Sequence, residues 1–116
     1  MNELIETIFA SFQVEGVDIP VCFLNYSGTS HAYITYQLSF CDNSVSADND
    51  LINYVDYYDF DIYSKRDYFP IVESVKRILK INGFIWQPGK SSGDMYEPDT
   101  EYFHKTLNFA YMRGTN

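Results

Sequence analysis

Two stretches of this chain alternate apolar and polar side chains so regularly that they predict long strands. From His31 to Phe40, Ala32, Ile34, Tyr36, Leu38 and Phe40 fall on one face, and His31, Tyr33, Thr35, Gln37 and Ser39 on the other. Leu51 to Ser64 repeats the pattern, with Ile52, Tyr54, Tyr58, Phe60 and Ile62 in one phase and Asn53, Val55, Tyr57, Asp59, Asp61 and Tyr63 in the other. Asp56 interrupts the apolar phase. It marks either a bulge that shifts the register or a carboxylate with a buried partner. Between the two runs, Cys41 to Asp50 is rich in Asp, Asn and Ser, which bond the local backbone, so it predicts a hairpin loop exposed to water.

Helical spacing appears twice. Leu4, Ile5, Ile8, Phe9 and Phe12 form one stripe of a helix over residues 1–12, with Glu3 and Glu6 near its positive end. Gly16, Asp18 and Pro20 break that helix, and Val21 to Asn25 reads as a short strand. The second helix is predicted after Asp67 as its cap, with Pro70 in the first turn and Ile71, Val72, Val75, Ile78 and Leu79 on the buried stripe. Lys76, Arg77 and Lys80 lie toward its negative end, and Gly83 is a suitable stop. Phe84 to Gln87 follows as a strand, Pro88 to Asp99 as a mobile loop, and Glu101 to Arg113 as the closing strand. The predicted class is α+β: one small domain, in the order α-β-β-β-α-β-β, with a mostly antiparallel sheet and both helices on one face.

Two single-striped helices cover only one face of such a sheet. Tyr33, Val55, Tyr57, Tyr63, Tyr102 and Met112 fall on the uncovered phase, where Lys, Glu and Thr are the usual occupants. Either this face meets protein, or tyrosine is present simply as a good strand former that tolerates half exposure.

Composition narrows the classes. A chain of 116 residues supports one core, and 46% apolar residues with 11 Tyr and 9 Phe supply both a core and a surplus for interfaces. The net charge of −8 disfavours gripping a phosphate backbone but is compatible with DNA sliding past, since like charges leave no wells along the path. No apolar run approaches the roughly 20 residues that cross a bilayer. Cys22 and Cys41, with no CxxC spacing and no secretory signature at the N-terminus, read as buried thiols in a reducing cytoplasm.

Candidate chemistry is sparse. His31 and His104 lack a ligand partner at i+3 or i+4 and read as structural. Asp59 and Asp61 form a pair suited either to acid–base or cation chemistry, or to a solvated face. Residues 42–50 have superficial calcium-loop character without the DxDxDG order or the closing Glu. No phosphate-cradling glycine motif is present. The expectation is therefore no catalytic residues, no cofactor and no metal.

Three runs carry a family resemblance: YYDFDIYSKRDY at 57–68, GFIWQPG at 83–89, and DMYEPDTEYFHKTLNFA at 94–110. In order and spacing they resemble the tail-terminator (tail-completion) proteins of long-tailed phages and prophages of Gram-positive bacteria, over about Val21 to Ala110. The resemblance implies a virion protein that forms a homo-oligomeric ring, commonly a hexamer. The ring would cap the head-proximal end of the tail tube, stop tube polymerisation and join the neck of the head, with DNA passing through its centre. Its partners would be further copies of itself, the tail-tube protein and a neck or head-completion protein, with no membrane involved. On that footing Tyr57, Tyr63 and Tyr102 are expected in subunit packing and Asp59 and Asp61 along the channel. Asp48, Asp50, Lys90 and Met95, on two loops, are expected to contact partners. The rival readings are another neck component, such as a head-closure or connector protein, and a small-ligand-binding or hydrolytic domain using His104 with a nearby carboxylate.

Overall fold

The computed structural model describes residues 2–45 and 52–115. Its elements are α1 (Asn2–Ile8), β1 (Gln13–Val14), β2 (Val17–Asp18), β3 (Val21–Phe23), β4 (Ala32–Val45), β5 (Ile52–Ser64), α2 (Phe69–Ile81), β6 (Ile85–Trp86), a 3-10 turn at Pro88–Lys90, β7 (Met95–Glu97) and β8 (Tyr102–Thr115). The main sheet has six strands in the order β3-β4-β5-β8-β6, and β7 pairs with β8 as well. Only β3 runs parallel to its neighbour β4; the other pairs are antiparallel. The α+β class and the order of the main elements are those read from the sequence. The short strands β1, β2 and β7 are additional, and β1 and β2 join through Glu15 and Gly16, both at positive φ, the turn geometry that matches strand twist.

One core lies between the helices and one face of the sheet. Ile5 and Phe9 from the first helical segment and Ile71, Val72, Val75 and Leu79 from α2 meet Ile34, Tyr36, Tyr58, Phe60, Ile62, Leu107 and Phe109. Phe60 is its centre, in ring contact with Phe9, Tyr36, Phe84 and Phe109 at 5.8–6.4 Å. The predicted first helix is a turn too long. It ends at Ile8, because Ser11 takes a left-handed φ of 55°, yet Phe9 and Phe12 are still buried as its spacing implied. α2 starts one residue later than predicted. Tyr68 occupies the cap position, while Asp67 accepts the Phe69 N–H at 3.1 Å from one position further out. Gly83, at φ 90°, ends the helix as read.

Three expectations fail in the strands. Residues 41–45 are not loop; they continue β4, opposite Ile52 to Asp56. The chain has enough β-competent neighbours on β5 to keep the ladder going despite the Asn and Ser content. Residues 88–99 hold a 3-10 turn and β7, because Met95, Tyr96 and Glu97 pair with His104, Phe103 and Tyr102. Phe40 does not share a face with Leu38. Leu38 stands opposite Tyr58 and Phe40 opposite Tyr57, so Ser39 is an extra residue on β4 and the phase shifts there. Its hydroxyl donates to the Tyr57 carbonyl at 3.0 Å.

Asp56 resolves in the same place. The bulge sits on β4, so β5 alternates unbroken, and Asp56, 4% exposed, meets Arg113 with Nε–Oδ2 3.1 Å. Burial works to raise the Asp56 pKa, but hydrogen bonds from Arg113 and Cys41 outweigh it and hold the carboxyl below the ordinary carboxylate range. Cys41 is exposed and Cys22 half-buried, against the expectation of two buried thiols. Cys41 lies past the bulge, where the core cluster has ended, and its hydrogen bond to Asp56 pushes the thiol pKa up.

Candidate functional site

Register alone orders the face of the sheet away from the helices. Residues of β5 that point there stand between one on β4 and one on β8: Tyr33, Tyr63 and His104 in the first row, then Thr35, Asp61 and Thr106, then Gln37, Asp59 and Asn108, then Phe40, Tyr57 and Ala110, and further out Asp42, Val55 and Met112. The first row stacks its rings, with centroids 4.7 Å apart for Tyr33 and Tyr63 and 4.1 Å for Tyr63 and His104. Tyr26 extends the stack over Tyr33 at 4.5 Å and receives the Ser30 N–H at 2.9 Å on its hydroxyl. That fold-back needs Gly28, where any Cβ would collide with the Tyr26 ring. Tyr102 closes the group edge-on to Tyr33 and Tyr63, its hydroxyl donating to the Ser30 carbonyl at 2.7 Å.

The middle rows are polar and satisfied across strands. Asp61 Oδ1 accepts from Thr106 Oγ1 at 2.5 Å and lies 3.1 Å from His104 Nε2. Which of the two donates in that contact depends on the tautomer of the ring. The other ring nitrogen, Nδ1, faces Glu97 Oε2 at 3.7 Å, an ion-pair distance that becomes attractive when the ring is protonated. Asn108, 3% exposed, donates through Nδ2 to Asp59 Oδ1 at 2.8 Å and to Ser39 Oγ at 3.1 Å, while its Oδ1 has no partner among the described residues. Ser91 and Ser92 accept the Asn108 and Thr106 amides at 3.0 and 2.8 Å, so the 88–95 segment is fastened along the same edge.

The expected site residues divide on this face. Tyr63 and Tyr102 are half-buried against each other and against Tyr33, which uses their rings inside the chain. Burial first, and the Asp61 charge second, raise the Tyr63 pKa to about 12. Tyr57 lies apart, 6.0 Å from Phe40 and under the Lys90 ammonium at 4.9 Å; the exposed Met112 stands opposite Val55, two residues from Tyr57 on β5. Asp59 and Asp61 share the face as the alternation implies, but each is held by a β8 side chain. Met95 is 40% exposed on β7. Asp48 and Asp50 lie outside the described residues, as does most of the 42–50 segment with calcium-loop character.

Thr106, Asn108, Glu97 and Ser39 escaped the sequence reading. The signal was there: Asp-x-Asp on β5 and Thr-x-Asn on β8 have the same two-residue spacing, which places acceptors opposite donors when antiparallel strands pair. Chemically the cluster is a cross-strand fastening. Both nitrogens of His104 face carboxylates, and the adjacent hydroxyl, Thr106, gives its proton to Asp61. No hydroxyl or thiol among the described residues donates to His104, so the nucleophile of a nucleophile–base–acid series is missing among them. No group of three or more His, Cys, Asp or Glu side chains among them is arranged for a metal ion. No described helix is long and apolar enough to cross a membrane. Compared with known proteins, the chain matches no family model and no curated sequence.

Proposed function

We propose that the chain is a virion assembly protein, a tail terminator that caps the phage tail tube as a ring and acts by binding and shape rather than by chemistry. The observation that carries this reading is a three-stranded arm. Strands β4, β5 and β8 have 14, 13 and 14 residues, against about 5–6 for an average strand. The core cluster ends at Tyr58 and Phe109, with Tyr111 on its rim, yet the strands continue past it. The molecule is accordingly 52 Å long and only 26 by 23 Å across. Phe40 and Met112, both 54% exposed, stand on this extension together with the half-buried Tyr57. Apolar side chains on a projecting sheet fit a part that seats against partners. The resemblance over Val21 to Ala110 names the partners: further copies, the tube protein and the neck, with DNA passing through an acidic ring without sequence reading.

The test is tube length. Purified protein added to polymerising tail-tube subunits should halt growth at one end, and particles lacking it should carry tails of uncontrolled length. Tails of normal length in its absence would overturn the reading. If it binds neck protein but no tube, it is a head-closure or connector component instead. The His104–Asp61 contact is the one observation in favour of hydrolysis. His104→Asn should leave virion formation intact; a loss of infectivity with normal particle assembly would support the enzymatic reading.

A further inference from the structure

A groove of about 770 Å³ lies away from the tyrosine face, between α2 and the edge strand β6. Its floor is apolar, formed by Phe84 and Phe109, with Ile85 and Trp86 rising beside them at 54% and 40% exposure. Its rim is cationic. Lys76, Arg77 and Lys80 are three of the chain's eight basic residues and outnumber Glu73, the one acidic residue of the lining, which leaves five basic residues to set against 15 acidic ones elsewhere. Lys76 holds its ammonium 3.8 Å from the centroid of the Trp86 ring and 3.6 Å from Glu73, while Arg77 and Lys80 make no ion pair with any described residue. A basic, aromatic groove on so acidic a chain attracts carboxylates with an apolar neighbour.

The chain carries such a segment itself. Between β7 and β8, Asp99 and Glu101 are exposed and make no ion pair among the described residues, and the turn is closed by the Glu101 amide donating to the Glu97 carbonyl at 2.7 Å. Tyr96 and Phe103 flank it, 49% and 41% exposed with rings 4.9 Å apart. Along β8, this turn begins at Tyr102 and the groove is reached at Phe109, roughly 23 Å away at about 3.3 Å per residue, so one copy cannot fill its own groove. Groove against groove sets like charge on like charge, which excludes a twofold contact through this patch.

We propose that the α2–β6 groove is the receiving half of a head-to-tail contact between copies of this chain, occupied by the acidic 97–103 turn of the next copy. The contact uses two different patches, so it closes into a ring when its rotation allows and propagates otherwise. It rests on the terminator reading only in taking a second copy as the occupant.

Sedimentation and the fluorescence of Trp86, the single tryptophan and itself a wall of the groove, test it on the full chain. The wild type should sediment as a multiple of 13.5 kDa at about 50 mM salt, with a shifted Trp86 emission, and should dissociate at about 500 mM. Lys76→Glu with Lys80→Glu, and separately Asp99→Lys with Glu101→Lys, should each weaken association roughly 100-fold, from like charges in contact. Mixing the two variants restores opposite charges at every contact and should restore the oligomer. A wild type that stays monomeric at about 0.2 mM, roughly 200-fold above a micromolar Kd, overturns the groove proposal and leaves the tube-length test to decide the function. So does an oligomer indifferent to either variant, or a mixture that fails to reassemble.

Discussion

The two faces of β5 are built on opposite principles from adjacent residues. Tyr58, Phe60 and Ile62 enter a dry core, at 3%, 0% and 0% exposure, and what they contribute scales with area and packing. Asp59, Asp61 and Tyr63, one step along in each case, join a cross-strand lattice in which donors, acceptors and rings are matched by register. A core tolerates many hydrocarbon shapes, whereas a lattice needs named partners at fixed rows. Half exposure of Tyr33, Tyr63 and Tyr102 on the second face is not spare surface, because their rings already pack on one another. Free apolar surface lies further along the same face, at Phe40 and Met112 on the arm, and along the β6 edge.

The largest effect should come from the covered face. Phe60→Ala removes the ring that four others touch and should cost about 3–5 kcal/mol in urea unfolding. A cost near that of a surface change would break the comparison. Next comes the point where the covered phase outruns its core. Arg113→Met leaves the Asp56 carboxylate buried without its cation and should lower the urea midpoint less than Phe60→Ala does, because Arg113 is itself half exposed and its attraction is screened by water. Since folding lowers the Asp56 pKa, its contribution is present above the unfolded carboxylate value of about 3.9 and is lost as pH falls through the lower folded value. Acid unfolding curves of wild type and Arg113→Met should therefore converge at low pH.

On the second face, Asn108→Ala strands Asp59 and Ser39 and should cost about 1–2 kcal/mol by the same unfolding assay. The smallest changes give the sharpest contrast. Tyr102→Phe deletes the bond to Ser30 and should cost about 1 kcal/mol. Tyr63→Phe keeps the stack and deletes a hydroxyl with no partner among the described residues, so it should stay within about 0.5 kcal/mol. Equal losses from the two would mean that the lattice is held by rings alone.

Period was the legible part of this fold. Strict alternation gave β4 and β5, and the 3.6-residue stripe with Pro70 and Gly83 gave α2, because each of these signals is local. What stayed hidden depends on partners far along the chain. Residues 41–45 look like loop until β5 lies beside them, and Met95 to Glu97 become a strand only because β8 offers an edge. The phase of Phe40 was unreadable for the same reason, since nothing near Ser39 announces the extra residue. At the candidate site, alternation put Asp59 and Asp61 on the correct face, whereas their acceptance of bonds from Asn108 and Thr106 follows from a register that only the folded sheet fixes.

Ser39 also decides aim. An added residue bends and twists a strand locally, and here it sits where the projecting half of β4 leaves the body. Deleting it would keep Leu38 opposite Tyr58 and Phe40 opposite Tyr57, so every side chain would keep its side while the ribbon straightened. A few degrees at this elbow become several ångströms at Val45. What the hairpin displays and where it points are thus set by separate residues, and evolution can retune the angle of approach to a partner without rewriting the surface that meets it.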